Sequence, residues 1–146
     1  MSEADLRARA AALAEFFGGL TAERLDGLAE FYTPDAWFRD PFNEVRGAQA
    51  IRGLFEDMYR RLEEPRFRVT ASFAGPEGLV LAWEFSFRFR GAAGANHVIP
   101  GMSHLRLDAA GRVNWHRDYW DSADLYAKIR GLGTLMRALR RGAAGG

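Results

Sequence analysis

His116 and Asp118 stand two residues apart in the alternating run RVNWHRDYWD, Arg112 to Asp121. On an extended strand Asn114, His116, Asp118 and Trp120 share one face, and Val113, Trp115, Arg117 and Tyr119 share the other. An imidazole and a carboxylate that point into one closed apolar space can pass protons. In open water they are only solvated. Burying both without partners costs several kcal/mol, so they must pair with each other, with a further acid, or with bound water or ligand. That further acid is Asp40, which precedes Pro41 and lies between Phe38 and Phe42. A carboxylate held among apolar groups can act as base or acid near neutral pH. An aspartate before proline can equally cap its own loop by accepting backbone amides. The chemistry open to Asp40, His116 and Asp118 is acid–base catalysis without a cofactor.

The other histidines are weaker candidates. His97 shares parity with Ile99, Gly101 and Ser103 and could face the same cavity near its rim, although a lone histidine more often belongs to the core. His104 has the parity of Met102 and Arg106 and belongs on the outer face. A metal site from Asp40, His97 and His116 has no short ligand spacing behind it, and no metal is expected. Trp83, Phe85, Phe87 and Phe89 alternate on one face of the clearest strand, Leu79 to Arg90. They suit a core that widens into the wall of a pocket for an apolar or aromatic ligand. There is no Gly-rich phosphate loop, nucleophile elbow or HExxH.

Charge and cysteine content remove other classes. The 146 residues carry 20 basic and 19 acidic side chains, with the arginines spread along the chain. No basic stretch points to nucleic acid. The absence of cysteine excludes disulfides, thiolate zinc sites and a cysteine nucleophile, and is compatible with a cytoplasmic location. The opening run MSEADLRARAAALAEFF has early acids and no long apolar segment, unlike a signal peptide or a membrane span.

The elements that must position these residues follow from periodicity. Helical spacing of Leu6, Ala10, Leu13, Phe16 and Phe17 predicts a helix from about Glu3 to Phe17, stopped at Gly18-Gly19. A second helix, capped by Thr21, carries Leu25, Leu28, Ala29 and Tyr32. Ala36 to Asp40 reads as a short strand and PFNEVRG as a loop. A third helix runs from about Ala48 to Leu62 with Ile51, Leu54, Phe55 and Met58 inward. Strands follow at Arg66–Phe73, Leu79–Arg90 and Asn96–Leu107, the last with a bulge or bend at Pro100-Gly101. The turn Asp108-Ala109-Ala110-Gly111 then leads into the His116 strand. Ser122 is expected to cap a last helix bearing Leu125, Ile129, Leu132, Leu135, Met136 and Leu139, with Gly142 to Gly146 a disordered tail. Helices first, then a curved antiparallel sheet, make a single α+β domain over 1–141.

FYTPDAWFRDPFNEVRG followed by a helix, together with LDAAGRVNWHRDYWD, resembles the nuclear-transport-factor-2-like superfamily, and within it the SnoaL-like and ketosteroid-isomerase-like proteins. The resemblance spans roughly Leu6 to Leu125 and implies a cone-shaped fold. It makes Asp40 the match of the general base, Tyr32 of a network tyrosine and Trp120 of a pocket-lining aromatic. The tyrosine that donates to the oxyanion falls at Phe16, the supporting tyrosine of the third helix at Phe55 and the protonated aspartate at Ser103, so most of the family's oxyanion network is missing.

The expected function is a small-molecule isomerase, dehydratase or cyclase acting on a lipid-like or polyketide-like substrate. Asp40, His116 and Asp118 would be catalytic. Tyr32, Phe16, Phe55, Phe85, Phe87, Ser103, Trp120 and His97 would bind the substrate. The alternative is a non-catalytic protein that holds a hydrophobic ligand or partner. The outer sheet face (Glu84, Arg88, His104, Trp115, Arg117) suits a homodimer, as is common in the family. The basic last helix is expected to pack on its own domain; lidding the pocket, joining a partner subunit or resting on a membrane surface are the other options.

Overall fold

In the computed structural model of the protein, residues 1–91, 94–128 and 141–142 are described. Helix α1 spans Glu3–Gly18 and opens with a reciprocal cap. Ser2 Oγ accepts from the Asp5 amide at 3.1 Å, and the Asp5 carboxylate accepts from the Ser2 amide at 3.0 Å. Its apolar stripe buries Ala10, Leu13 and Phe17, and the helix lies mainly on β3, which spans Leu62–Gly75.

The second helix departs from expectation. Ala22–Gly27 is a 3-10 turn, Leu28–Phe31 is the short helix α2, and Thr21 makes no side-chain cap. Tyr32 begins strand β1, Tyr32–Arg39, earlier than periodicity suggested. The PFNEVRG loop holds an edge strand, β2, Glu44–Arg46, and leads to helix α3, Ala48–Arg61, which buries Ile51 and Phe55. β3 runs on into β4 (Gly78–Phe89), β5 (His97–Leu107) and β6 (Val113–Tyr119).

These strands form one curved six-stranded sheet in the order β2-β1-β6-β5-β4-β3. The sheet is mixed rather than purely antiparallel, because β1 and β6 run parallel. The chain leaves β1 through α3 and the β3–β5 meander and returns in the same direction. The helices cover one face, and Leu13, Tyr32, Ile51, Leu79, Leu81, Leu105 and Val113 fill the core between them with almost no exposure. This is the α+β cone expected from the sequence.

Three local expectations are corrected. The β4–β5 register passes through Pro100 and Gly101 without a shift, so there is no bulge there. Gly101 instead makes room for an indole, since a Cβ at this position would fall 2.3 Å from Cη2 of Trp83. At the start of β6 an irregularity turns Val113 into the core and leaves Asn114 exposed, so Asn114 does not share the interior with His116. The last helix, α4, spans Ser122–Tyr126 and is capped by Asp121, whose carboxylate accepts from Ala123 N, rather than by Ser122. Ile129, Leu132, Leu135, Met136, Leu139 and the expected tail beyond Gly142 lie outside the described residues. Among the described residues no helix is long and apolar enough to cross a membrane.

Gly111 closes the hairpin turn at φ +82°, the left-handed conformation that only glycine adopts without strain.

Candidate active site

β6 lies between β1 and β5, and that position assembles the site. His116 is in register with Phe38 on β1 and Leu105 on β5, and Asp118 stands opposite Ser103. The Ser103 hydroxyl donates to Asp118 Oδ1 at 2.5 Å, and His116 Nε2 reaches the same oxygen at 2.5 Å. On the other side of the imidazole, Nδ1 lies 2.7 Å from the hydroxyl of Tyr32. Trp83 on β4 donates its indole N–H to Ser103 Oγ at 2.9 Å. One hydrogen-bonded chain therefore crosses four strands: Tyr32, His116, Asp118, Ser103, Trp83.

Donor and acceptor chemistry gives the chain its direction. Indole N–H can only donate, so Ser103 accepts from Trp83 and turns its own proton to Asp118. A carboxylate only accepts, so Nε2 of a neutral His116 carries the proton. Nδ1 then offers a lone pair, and Tyr32 donates to it. Every side-chain polar atom from Tyr32 to Trp83 except Asp118 Oδ2 is paired, as buried groups require. The phenol suits its donor role. Burial, with the Asp118 charge adding to it, pushes the Tyr32 hydroxyl well above the usual tyrosine range. The rings of Phe38 and Phe17 stand 4.7 and 6.3 Å from the imidazole and close it off.

Exposure distinguishes the members. Tyr32, His116, Ser103 and Trp83 are 1, 2, 5 and 7% exposed. The Asp118 side chain is 15% exposed. Both bonds to Asp118 fall on Oδ1, and among the described residues Oδ2 has no partner. Asp118 lines a cleft of about 440 Å³ at the ends of β1 and β6, whose other walls are Arg39, Asp40, Pro41, Arg117, Tyr119 and Trp120. A larger groove, about 800 Å³, lies at the hairpin-turn end beside Trp37, Arg106 and Trp115. It holds no member of the buried chain, so the smaller cleft is the chemically relevant one.

Asp40 stands in the wall of that cleft but is occupied by its own loop. Its carboxylate accepts from the amides of Phe42 (2.8 Å) and Asn43 (2.7 Å) and from Asn43 Nδ2 (3.1 and 3.2 Å). It caps that loop while facing the same space as Asp118. Trp120 lines the cleft, with its ring edge-on to Phe42 at 5.4 Å. Tyr32 and Ser103 meet Asp118 through the buried chain. Phe16, Phe55, Phe85, Phe87 and His97 do not line the cleft. Phe16 stacks on Phe31 at 4.4 Å, Phe55 is core, and Phe85 stacks on Phe67 and Phe87. His97 packs by Phe87 and Phe89; burial and then the Lys128 charge lower its proton affinity. His104 takes its expected outer place, with Nε2 2.8 Å from the Glu77 carbonyl. Among the described residues no cluster of His, Asp and Glu could hold a metal ion.

Sequence reasoning missed the part of Trp83, which it placed in the aromatic core. The available signal was the indole N–H, which needs a partner whenever the ring is buried. Arg39 was also missed.

Comparison with known proteins agrees with the fold. The family model described as SnoaL-like domain matches residues 13–116. The chain belongs to the SnoaL-like family. Within the wider nuclear-transport-factor-2-like superfamily, three solved structures illustrate the shared fold. A protein from a Jannaschia species, described as a SnoaL-like polyketide cyclase, superposes with a TM-score of 0.74 at 16% identity, over 90% of this chain and 96% of that one. A protein of ketosteroid-isomerase-like fold from Catenulispora acidiphila, solved with trimethylamine, gives 0.70 at 16% identity over 82% and 90%. AclR of Streptomyces galilaeus, described as a hydroxylase, gives 0.69 at 19% over 91% and 98%. No curated protein matches the chain significantly. These likenesses show the fold alone, and the reaction must be argued from the site.

Proposed function

We propose that the protein is a cofactor-independent acid–base enzyme that isomerises, dehydrates or cyclises a small, largely apolar substrate of polyketide-like type. One observation carries this reading: of the buried chain, only Asp118 lines this cleft, and among the described residues its Oδ2 has no partner. Asp118 Oδ2 takes a proton from a carbon adjacent to a carbonyl and returns it to another atom of the same substrate. The buried bonds survive that transfer. Oδ1 goes on accepting from Ser103 and His116 whether Oδ2 is bare or protonated, so the carboxyl stays in place throughout. His116 steadies Asp118 in this reading, since both imidazole nitrogens are engaged inside. Asp40 shapes the opposite wall, and Trp120 supplies apolar contact. Membership of the SnoaL-like family and the likeness to a polyketide cyclase fold support the substrate class.

The test is proton exchange in heavy water with an enolisable aromatic diketone, benzoylacetone, followed by NMR. Wild type should incorporate deuterium above the buffer rate, and Asp118→Asn should lose about a hundredfold of that rate or more. Equal rates in both proteins would exclude Asp118 as the base.

The satisfied state of the buried chain favours a second reading, a non-catalytic carrier in which the chain is structural. It predicts ligand binding without exchange. We further propose a homodimer through the centre of the outer sheet face, where Met102 is 48% exposed beside His104 and Trp115. Light scattering of the purified chain reads its mass directly.

A further inference from the structure

We propose that the cleft beside Asp118 receives an anion, a small molecule whose carboxylate is held by Arg39 and Arg117 while its apolar body rests on Trp120. The inference rests on the reading above for the identity of the site and adds the substrate's charge to it.

Arg39 on β1 and Arg117 on β6 are register partners on parallel strands, and both line the cleft. Like charges directly opposite on neighbouring strands oppose pairing. Many other arginines are answered by acids: Arg52 by Asp26 and Glu56, Arg68 by Glu84, Arg88 by Glu63 and Glu64. Among the described residues Arg39 and Arg117 have no acidic partner within 4.0 Å. Glu44, opposite Arg39 on β2, turns its Oε1 to the indole N–H of Trp37 at 3.0 Å.

The acids of the cleft both accept hydrogen bonds from the protein, with Asp118 Oδ2 left over. Asp40 accepts from the amides of its own loop, and Asp118 Oδ1 accepts from Ser103 and His116. Of the charged side chains lining the cleft, Arg39, Asp40, Arg117 and Asp118, only the two arginines have no hydrogen-bonded partner among the described residues. Arg117 is also held in a defined plane, because its guanidinium lies over the Tyr119 ring at 4.8 Å. Such stacking orients the fork and leaves its N–H edge free. Two guanidinium forks side by side match the geometry of a carboxylate. A carboxylate seated there would leave the rest of a small substrate in the cleft that Asp118 and Trp120 also line.

The probes are naphthoate and its neutral counterpart naphthamide, titrated into the full chain and followed by arginine side-chain NMR signals. Naphthoate should bind at least about tenfold more tightly, as charge-assisted hydrogen bonds imply. Asp118→Asn should keep that preference, and the double variant Arg39→Gln/Arg117→Gln should abolish it. Equal binding of the two probes, a preference that persists in the double variant, or arginine signals unmoved at millimolar naphthoate would overturn the inference. The two proposals separate cleanly. Loss of anion preference with Asp118-dependent exchange intact removes only the anion site, and anion preference without exchange removes only the acid–base reading.

Discussion

Oδ1 of Asp118 lies 2.5 Å from both Nε2 of His116 and Oγ of Ser103. One oxygen thus collects two buried donors, and the other is left for the cleft. The arrangement depends on strand register. Ser103 is directly opposite Asp118 across the β5–β6 pair, and His116 is two residues back on the same strand and face.

Ser103→Ala removes one of those donors and leaves the Trp83 indole N–H without its acceptor. A hydrogen bond to a charged group contributes about 1.5–3 kcal/mol, so exchange at the probe ketone should fall by about tenfold or more. Ser103→Thr, which keeps the hydroxyl, should retain most of the rate. An unchanged rate in the alanine variant would show that Ser103 does not position Asp118.

Gly101→Ala tests the same chain from further away. The new Cβ would meet Trp83 at 2.3–2.7 Å, so the indole must move off Ser103. Overpacking of this kind costs about 1–3 kcal/mol. The expected result is a lower melting temperature together with a displaced Trp83 indole N–H signal. An alanine variant with that signal unmoved would mean that the ring does not need the glycine.

Tyr32 makes alkaline stability informative. Its folded proton affinity is raised above the ordinary value of 10.0, by burial first and the Asp118 charge second. Below pH 10 the phenol is neutral in both folded and unfolded chains, and its contribution is fully present. Above that pH the unfolded chain releases the proton and the folded chain keeps it, so stability falls by about 1.4 kcal/mol per pH unit from this group. Denaturant titrations of wild type and Tyr32→Phe across this range should differ by that slope, with the variant the flatter. Parallel curves would mean that Tyr32 ionises in the folded protein.

Thr33 is buried at 6% exposure, and among the described residues its hydroxyl has no hydrogen-bond partner. Burying such a group costs about 1–3 kcal/mol. Thr33→Val keeps the shape and should raise the melting temperature. A lowered value would show that the hydroxyl is bonded in solution.

Much of this was legible in the sequence because strand alternation is a strong signal. The parity that placed His116 and Asp118 together holds, as does the fold expected from FYTPDAWFRDPFNEVRG. Other features were not legible, for physical reasons. Asn114 and Val113 exchanged faces at an irregularity that only pairing with the neighbouring strands β1 and β5 reveals. Asp40 could be read as base or loop cap, and the choice depends on where three donor atoms end up. The link from Trp83 to Ser103 depends on the register of β4 against β5, which no local pattern encodes. The Arg39–Arg117 pair depends on two strands far apart in the chain lying parallel.

The most direct measurement is the tautomer of His116, read from long-range nitrogen–proton NMR correlations of its imidazole at neutral pH. The directional chain requires the Nε2–H tautomer, with Nδ1 accepting from Tyr32 and the Nε2 proton protected from solvent exchange by Asp118. An Nδ1–H tautomer, or an Nε2 proton that exchanges freely with water, would contradict the assembly on which Asp118's role depends.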